Sequence, residues 1–335
     1  MRKIVFSALA SIGLYGAAEA NDGFFGLPAG GLTLQQSANI AMQEEDLYIS
    51  LDEVRVNYVF RNDSNAPVKA QVGFPMPGLP VSVNFDAETG YDLHEIKDLE
   101  LLKFETRING QVVTSKPIVR AYYYPEQIPW EKQDRFYFTD AKDITSELVA
   151  ASVPLTFDAN AIRAAFARLS PAKKAEWNRR AIYFKDANYE APNWFLSTVF
   201  VRDQTFPATT LVRVQHKYKP FPSGFVMVSN HFAFDKELAK SSCVDAPTER
   251  AIKRLLKPQG GGAGHVIDYI LTTANTWKGP IGRFRLTVNK GAARNIVSFC
   301  GTGVKKTGPT SFSLEYTNFK PTQDLKVLIV KGAEL

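Results

Sequence analysis

The side chains of this sequence best suited to proton transfer or metal ligation near neutral pH are its four histidines, His94, His216, His231 and His265. They are scattered, and none sits in a His-Glu-x-x-His or similar ligand spacing. His216 falls inside an alternating, strand-like run and reads as a structural imidazole. The densest acidic clusters are Glu44-Glu45-Asp46 and Asp52-Glu53. Paired carboxylates can do acid–base work or hold calcium, but these lack the Asp-x-Asp-x-Asp-Gly regularity of a calcium loop. They read instead as a strand edge kept soluble by charge. The tract Gln259-Gly260-Gly261-Gly262-Ala263-Gly264 shares only its glycines with a phosphate loop, lacks the Gly-Lys-Ser/Thr ending, and reads as a mobile linker. No Gly-x-Ser-x-Gly nucleophile elbow occurs. No residue is therefore assigned as catalytic or metal-binding, and no cofactor is expected.

Binding chemistry has one candidate. Thr272 to Phe284 joins two strand-like runs and combines Trp277, Lys278, Asn275, Arg283 and a Gly-Pro turn. An aromatic ring beside cations can present a surface to sugar or peptide. Tyr122, Tyr123, Tyr124 and Trp130 read as a proline-rich aromatic loop, whose Tyr123 and Trp130 extend the same expectation. The competing reading is that Trp277 plugs the end of a sandwich while the glycines serve the turn.

Period-two alternation must position these groups. Leu47, Ile49 and Leu51 share one face; Val54, Val56, Tyr58 and Phe60 share another after a phase slip at Asp52-Glu53, which predicts a bulge or turn. Val68, Ala70, Val72 and Phe74 alternate after the turn cluster Asn62-Asp63-Ser64-Asn65, predicting a β-meander. Asn109-Gly110 between alternating runs predicts a hairpin. The period then becomes helical: Asp158 caps one helix, and Ser170-Pro171 opens a second. Strand-like runs resume from Ser197, interrupted by a basic amphipathic helix over 247–256 with Asp245 or Thr248 as its cap. The expected fold is mainly β: two antiparallel β-sandwich-like domains, with a helical hairpin inserted between them and a short helix in the second. The boundaries are 21–153, 154–184 and 185–335.

Residues 1–20 carry the three-part pattern of a secretory leader: basic Arg2-Lys3, apolar 4–14, and Ala18-Glu19-Ala20 before a cleavage expected at Ala20/Asn21. The apolar stretch is shorter than the roughly 20 residues a span needs. The chain of 335 residues is 45% hydrophobic and 22% charged, an ordinary globular composition, with a mildly basic formal charge of +6. Cys243 and Cys300 are its two cysteines. An even count in an oxidising compartment suggests one disulfide, with metal ligation and two free thiols as the alternatives.

Gly30-Gly31-Leu32, Glu45-Asp46-Leu47-Tyr48-Ile49-Ser50, Val54 to Phe60 and Val72-Gly73-Phe74-Pro75-Met76-Pro77 occur in order. With Trp277 to Phe284 and Val297-Ser298-Phe299-Cys300-Gly301, they resemble a bacterial exported family, domain of unknown function 4424. The resemblance covers nearly the whole chain after the leader. It implies export, a β core and a Cys243–Cys300 bridge, and it carries over no catalytic residues.

The expectation is a periplasmic or secreted, non-enzymatic binding or scaffolding protein of the cell envelope. Its partner would be a protein, glycan or small ligand, not nucleic acid. The alternatives are an envelope hydrolase or metal-dependent enzyme with its site at the domain junction, and a ligand-binding accessory to transport or secretion.

Overall fold

The computed structural model describes residues 22–26, 33–81, 99–125, 128, 138–185, 190–221, 223–227 and 236–332. The leader region and Trp130 lie outside them. The chain begins with β1 (Gly23–Gly26), β2 (Thr33–Leu34), β3 (Ile40–Ile49), β4 (Val54–Asn62) and β5 (Val68–Pro80). Next come β6 (Glu105–Ile108), β7 (Gln111–Val113), β8 (Lys116–Tyr123), β9 (Lys142–Asp143) and helices α1 (Thr145–Ala150), α2 (Ala159–Ala167) and α3 (Pro171–Arg179). Then follow β10 (Tyr183–Lys185), β11 (Glu190–Pro192), β12 (Phe195–Phe206), β13 (Leu211–Tyr218) and β14 (Ser223–Met227), with helices α4 (Lys236–Ser241) and α5 (Ala246–Leu256). The chain closes with β15 (Gly262–Tyr269), β16 (Ile281–Asn289), β17 (Ile296–Phe299), β18 (Lys305–Lys306), β19 (Ser311–Phe319) and β20 (Leu325–Gly332).

The fold is mainly β, as the alternation predicts. One sheet runs β2-β1-β5-β12-β8-β9, a second β18-β19-β16-β3-β4-β13-β6-β7, and a third β14-β15-β20-β17; β10 and β11 pair separately. Among the described residues, pairing is antiparallel except between β3 and β16. Strands from both sides of 154–184 share the six- and eight-stranded sheets, so the sheets do not follow the division of the sequence at that point. Alternation marks a strand and its inward face, but it does not name the partner. The three larger sheets enclose one core in which Phe74 and Phe206, Val56 and Leu286, and Val327 and Ile329 are all buried.

Several local expectations are met. Asn109 and Gly110 both take positive φ, 49° and 85°, in the β6–β7 hairpin. Asp158 caps α2 by accepting from the amides of Asn160 and Ala161, and Ser170 caps α3 by accepting from that of Lys173. Asp245 caps α5 through Thr248 N–H. Cys243 and Cys300 form a disulfide.

Other expectations are corrected. Residues 50–53 form a tight turn, but β4 and β5 do not pair; they enter different sheets. Buried Asn62 holds that crossover by donating to the carbonyls of Ala66 and Phe206, so the polar cluster turns the chain out of the sheet instead of back along it. The acidic strand β3 is central, between β4 and β16, so it is not an edge. Glu44 and Asp46 pair outward with Arg283 and Arg285, while Glu45 is buried. The glycine tract is not a linker. Gly260 closes the turn after α5 with φ 69°, and Gly262 opens β15 so close to β20 that a Cβ would lie 2.3 Å from the Lys331 carbonyl. Tyr122 and Tyr123 belong to strand β8, not to a loop.

Breaking the disulfide checks its contribution. It spans 57 residues, and the chain-entropy model assigns about 4 kcal/mol to such a closure. The Cys243→Ser/Cys300→Ser variant should lose about 2–4 kcal/mol in urea denaturation, with α4 losing protection from hydrogen exchange first.

Candidate functional site

Two groups of polar residues stand out, one sealed and one open. The sealed group centres on Asp22, immediately before β1. Arg202 of β12 donates to its carboxylate from both terminal nitrogens, at 2.6 and 3.1 Å, and His216 of β13 lies 2.9 Å from Oδ1. All three side chains are at most 2% exposed. The Trp277 indole N–H donates to the Asp22 carbonyl, and Asp22 N–H points to the Tyr58 hydroxyl at 3.4 Å. Tyr58 and Tyr269 hydroxyls are 3.0 Å apart, and Tyr269 donates to Glu45.

Thr106, His216 and Asp22 stand in the hydroxyl–imidazole–carboxylate order of a catalytic triad, with Thr106 Oγ1 3.0 Å from Nδ1. The surroundings do not suit that chemistry. Asp22 is already neutralised by Arg202, the imidazole is walled by the rings of Phe74, Phe104 and Tyr58, and Thr106 itself is 1% exposed. No face is left for a substrate beside the hydroxyl. The cluster is a polar clamp that fastens the N-terminal segment across two sheets.

Its ionisation follows from its packing. Burial alone would raise the Asp22 carboxyl, but Arg202 and His216 overcome it and hold the group well below the usual carboxylate range. Burial pulls His216 below the usual imidazole value, and this outweighs the opposite pull of Asp22. The neutral imidazole therefore donates from Nε2 to Asp22 and accepts the Thr106 hydroxyl proton at Nδ1. Both groups bind a proton less readily folded than unfolded, so their stabilising effect is complete at neutral pH and is lost on acidification. Stability should fall from about pH 6.5 downward as the unfolded histidine protonates, at up to about 1.4 kcal/mol per pH unit, then further below the carboxylate range. His265, half-buried near Lys331, is also lowered and adds to the first step. Denaturation of wild type and His216→Gln from pH 7 to 4 should show a flatter dependence in the variant.

The sequence-predicted surface does not assemble. Trp277 is fully buried, packed against Phe60, Phe206 and Phe24, because its indole has both an apolar pocket and a carbonyl partner in the Asp22 segment. That overturns its assignment to an exposed ligand face. Tyr123 is 2% exposed and lines a second, helical core, in which Leu148 of α1, Phe166 of α2 and Trp177 of α3 pack on Leu196 of β12, with the Arg180 guanidinium 5.8 Å from the Tyr123 ring. Lys278 pairs with Asp63 and Arg283 with Glu44, both on the surface of the eight-stranded sheet.

Two concavities among the described residues differ in character. A slot between the main core and the helical core is lined by Met76, Leu102, Leu196, Phe221 and Ile267, with Thr198 and Asp268 as polar groups. Its volume of about 30 Å³ holds roughly one water. The second is a polar cleft of about 330 Å³, at the lower end of the size of small-molecule sites. Tyr48 and the turn residues Ser50, Leu51 and Asp52 form one wall; Asn289 and the loop residues Gly291, Ala292, Arg294 and Asn295 form another; Lys331 of β20 closes it.

The cleft walls are held firmly. The Ser50 hydroxyl accepts from the amides of Asp52 and Glu53 and donates to the Glu53 carbonyl, fixing the turn. The loop after β16 wraps an 8%-exposed lysine: Lys290 Nζ donates to the carbonyls of Ala293 and Asn295, and the Asn295 amide donates back to the Lys290 carbonyl. Gly291 supplies the φ of 80° this wrap needs, with its amide on the Asn289 side chain. No sequence motif marked this cleft, because its walls come from three elements far apart in the chain. The only local signal was the glycine within Asn289-Lys290-Gly291. Among the described residues, no group of histidine, cysteine or carboxylate side chains is arranged to hold a metal ion.

A family model described as a domain of unknown function (DUF4424) matches residues 20–328. No curated protein matches the sequence. Among solved structures, one from Legionella pneumophila subsp. pneumophila strain Philadelphia 1, provisionally named a nutrient binding protein, is similar at 13% identity. The match covers 94% of this chain and 71% of that one, with a TM-score of 0.44.

Proposed function

The chain belongs to the DUF4424 family, and we propose that it is an exported, non-enzymatic binding protein of the bacterial cell envelope that holds a small polar ligand in the cleft around Ser50, Asn289, Arg294 and Lys331. The carrying observation is the contrast between the two polar groups. The one with triad-like order is sealed in the core, while the one with open volume presents cations, amides and a hydroxyl without a nucleophile–base pair. Fixed walls favour binding, since a pre-formed site pays little to become ordered. Export is supported by the leader pattern, by the disulfide and by the family resemblance, and cleavage falls at Ala20/Asn21 in this reading. No helix among the described residues is long and apolar enough to cross a membrane.

Native mass spectrometry of protein isolated from the periplasm tests both parts. The mass of the chain should correspond to residues 21–335, and a fraction should carry a bound small molecule. An Ala292→Trp variant, which fills the cleft from an exposed position, should lose that adduct while keeping its unfolding midpoint. An unprocessed chain, or an adduct retained by Ala292→Trp, would overturn the corresponding part.

A further inference from the structure

Resting on the cleft as the binding site, we propose that its ligand is an organic oxyanion: a small hydroxylated molecule carrying a carboxylate or phosphate, held between Arg294 and Lys331. These two side chains reach the cleft from different sheets, Arg294 from the loop after β16 and Lys331 from the last strand. Neither makes an ion pair within 4 Å among the described residues, whereas the Glu53 carboxylate beside the turn is taken by both Arg55 and Lys217. Among the described residues, the only carboxylate lining the cleft is Asp52. Behind the loop lies a further positive charge. The ammonium of Lys290 is satisfied by two carbonyls, which complete its hydrogen bonds without cancelling its charge, and Lys306 adds another nearby. Arg294, Lys331 and Lys290 together outweigh the single negative charge of Asp52, so the balance of charge around the cleft favours an entering anion.

The neutral groups define the rest of the ligand. Asn289 and Asn295 keep part of their amide capacity beyond the bonds to Gly291 and Lys290, suited to hydroxyls carried beside the anionic group, while the Ser50 hydroxyl is spent on fixing its own turn. Tyr48 adds one aromatic ring, held in place by the Arg55 guanidinium 4.9 Å from its centroid. A guanidinium recognises carboxylate and phosphate alike through its planar fork, so the shared chemistry is the oxyanion, and the experiment separates the two.

Isothermal titration of the exported protein with glucuronate, glucose 6-phosphate and glucose reads this directly. One or both anionic probes should bind at least tenfold more tightly than glucose, and which of them leads distinguishes carboxylate from phosphate. The double variant Arg294→Gln/Lys331→Gln should weaken anion binding about tenfold, the loss two partly exposed charge contacts can give, and leave glucose unchanged. Glucose binding as tightly as the anions would overturn the oxyanion assignment and keep the cleft as a site. Anion binding unaffected by the double variant would overturn it as well. Heat from none of the three probes would also overturn it, while the adduct seen by native mass spectrometry would still decide the cleft itself. Both substitutions lie at non-core positions, so an unchanged melting temperature separates lost binding from lost folding.

Discussion

Replacing Asp22 with alanine should cost about 3–5 kcal/mol, enough to leave a marginally stable chain largely unfolded at 37 °C. The reason is not the lost attraction alone. Arg202 is buried, and without Asp22 its guanidinium would keep only Gln204 and the imidazole as neighbours. An uncompensated cation in a core walled by Phe74 and Phe104 is the expensive outcome. The same argument predicts a rescue. Asp22→Leu combined with Arg202→Met replaces the pair by apolar groups and should recover most of the loss, because the buried pair had itself been costly to desolvate. Urea denaturation of the single and double variants measures both effects. Equal destabilisation in the two would mean that the clamp acts through backbone hydrogen bonds and not through charge.

Trp277→Ala should be nearly as damaging, at about 3–5 kcal/mol, from lost burial and the cavity left behind. The indole contacts Phe24, Phe60 and Phe206, which come from three strands in two sheets, so its removal opens a void that no single element can close. It also leaves the Asp22 carbonyl without its indole donor. Trp277→Phe restores volume but not the hydrogen bond, and should cost about 1–3 kcal/mol, the penalty for an unsatisfied buried acceptor. Near-ultraviolet circular dichroism together with denaturation midpoints would check the pair. A neutral Trp277→Ala would show that the ring lies at the surface, as its neighbours in the sequence suggested.

Much of the fold was legible because short-range physics decides it. The Asn-Gly hairpin needs two positive φ angles, and Asp158, Ser170 and Asp245 satisfy helix amides within three residues of themselves. Sheet order was not legible, since β3 pairs with β16 about 240 residues later and alternation says nothing about the partner. The clamp was half-legible. Arg202 shares its face of β12 with Phe200 and Phe206, and His216 shares its face of β13 with Val214 and Tyr218. Two polar residues on apolar faces call for a buried counter-ion. Asp22 could not be named as that ion, because it lies outside any periodic run, 180 residues from one partner and 194 from the other. Trp277 misled for a related reason: Lys278 and Gly279-Pro280 mark a surface turn, and the neighbouring indole points the other way, into the core. The cleft left no trace in composition, since strand residues such as Tyr48 and Lys331 and ordinary turn formers are brought together by the approach of two sheets.

In the proposed reading the protein meets its ligand in the cleft, and not at the sealed clamp or the apolar slot. Backbone amide chemical shifts, recorded while a small-molecule fraction of the native envelope is titrated into the labelled exported protein, decide between these three places. The predicted result is a saturable set of shifts confined to residues 48–52, 289–295 and 331. Shifts clustering instead around Thr198, Phe221 and Asp268, or spreading through His216 and Arg202, would contradict it.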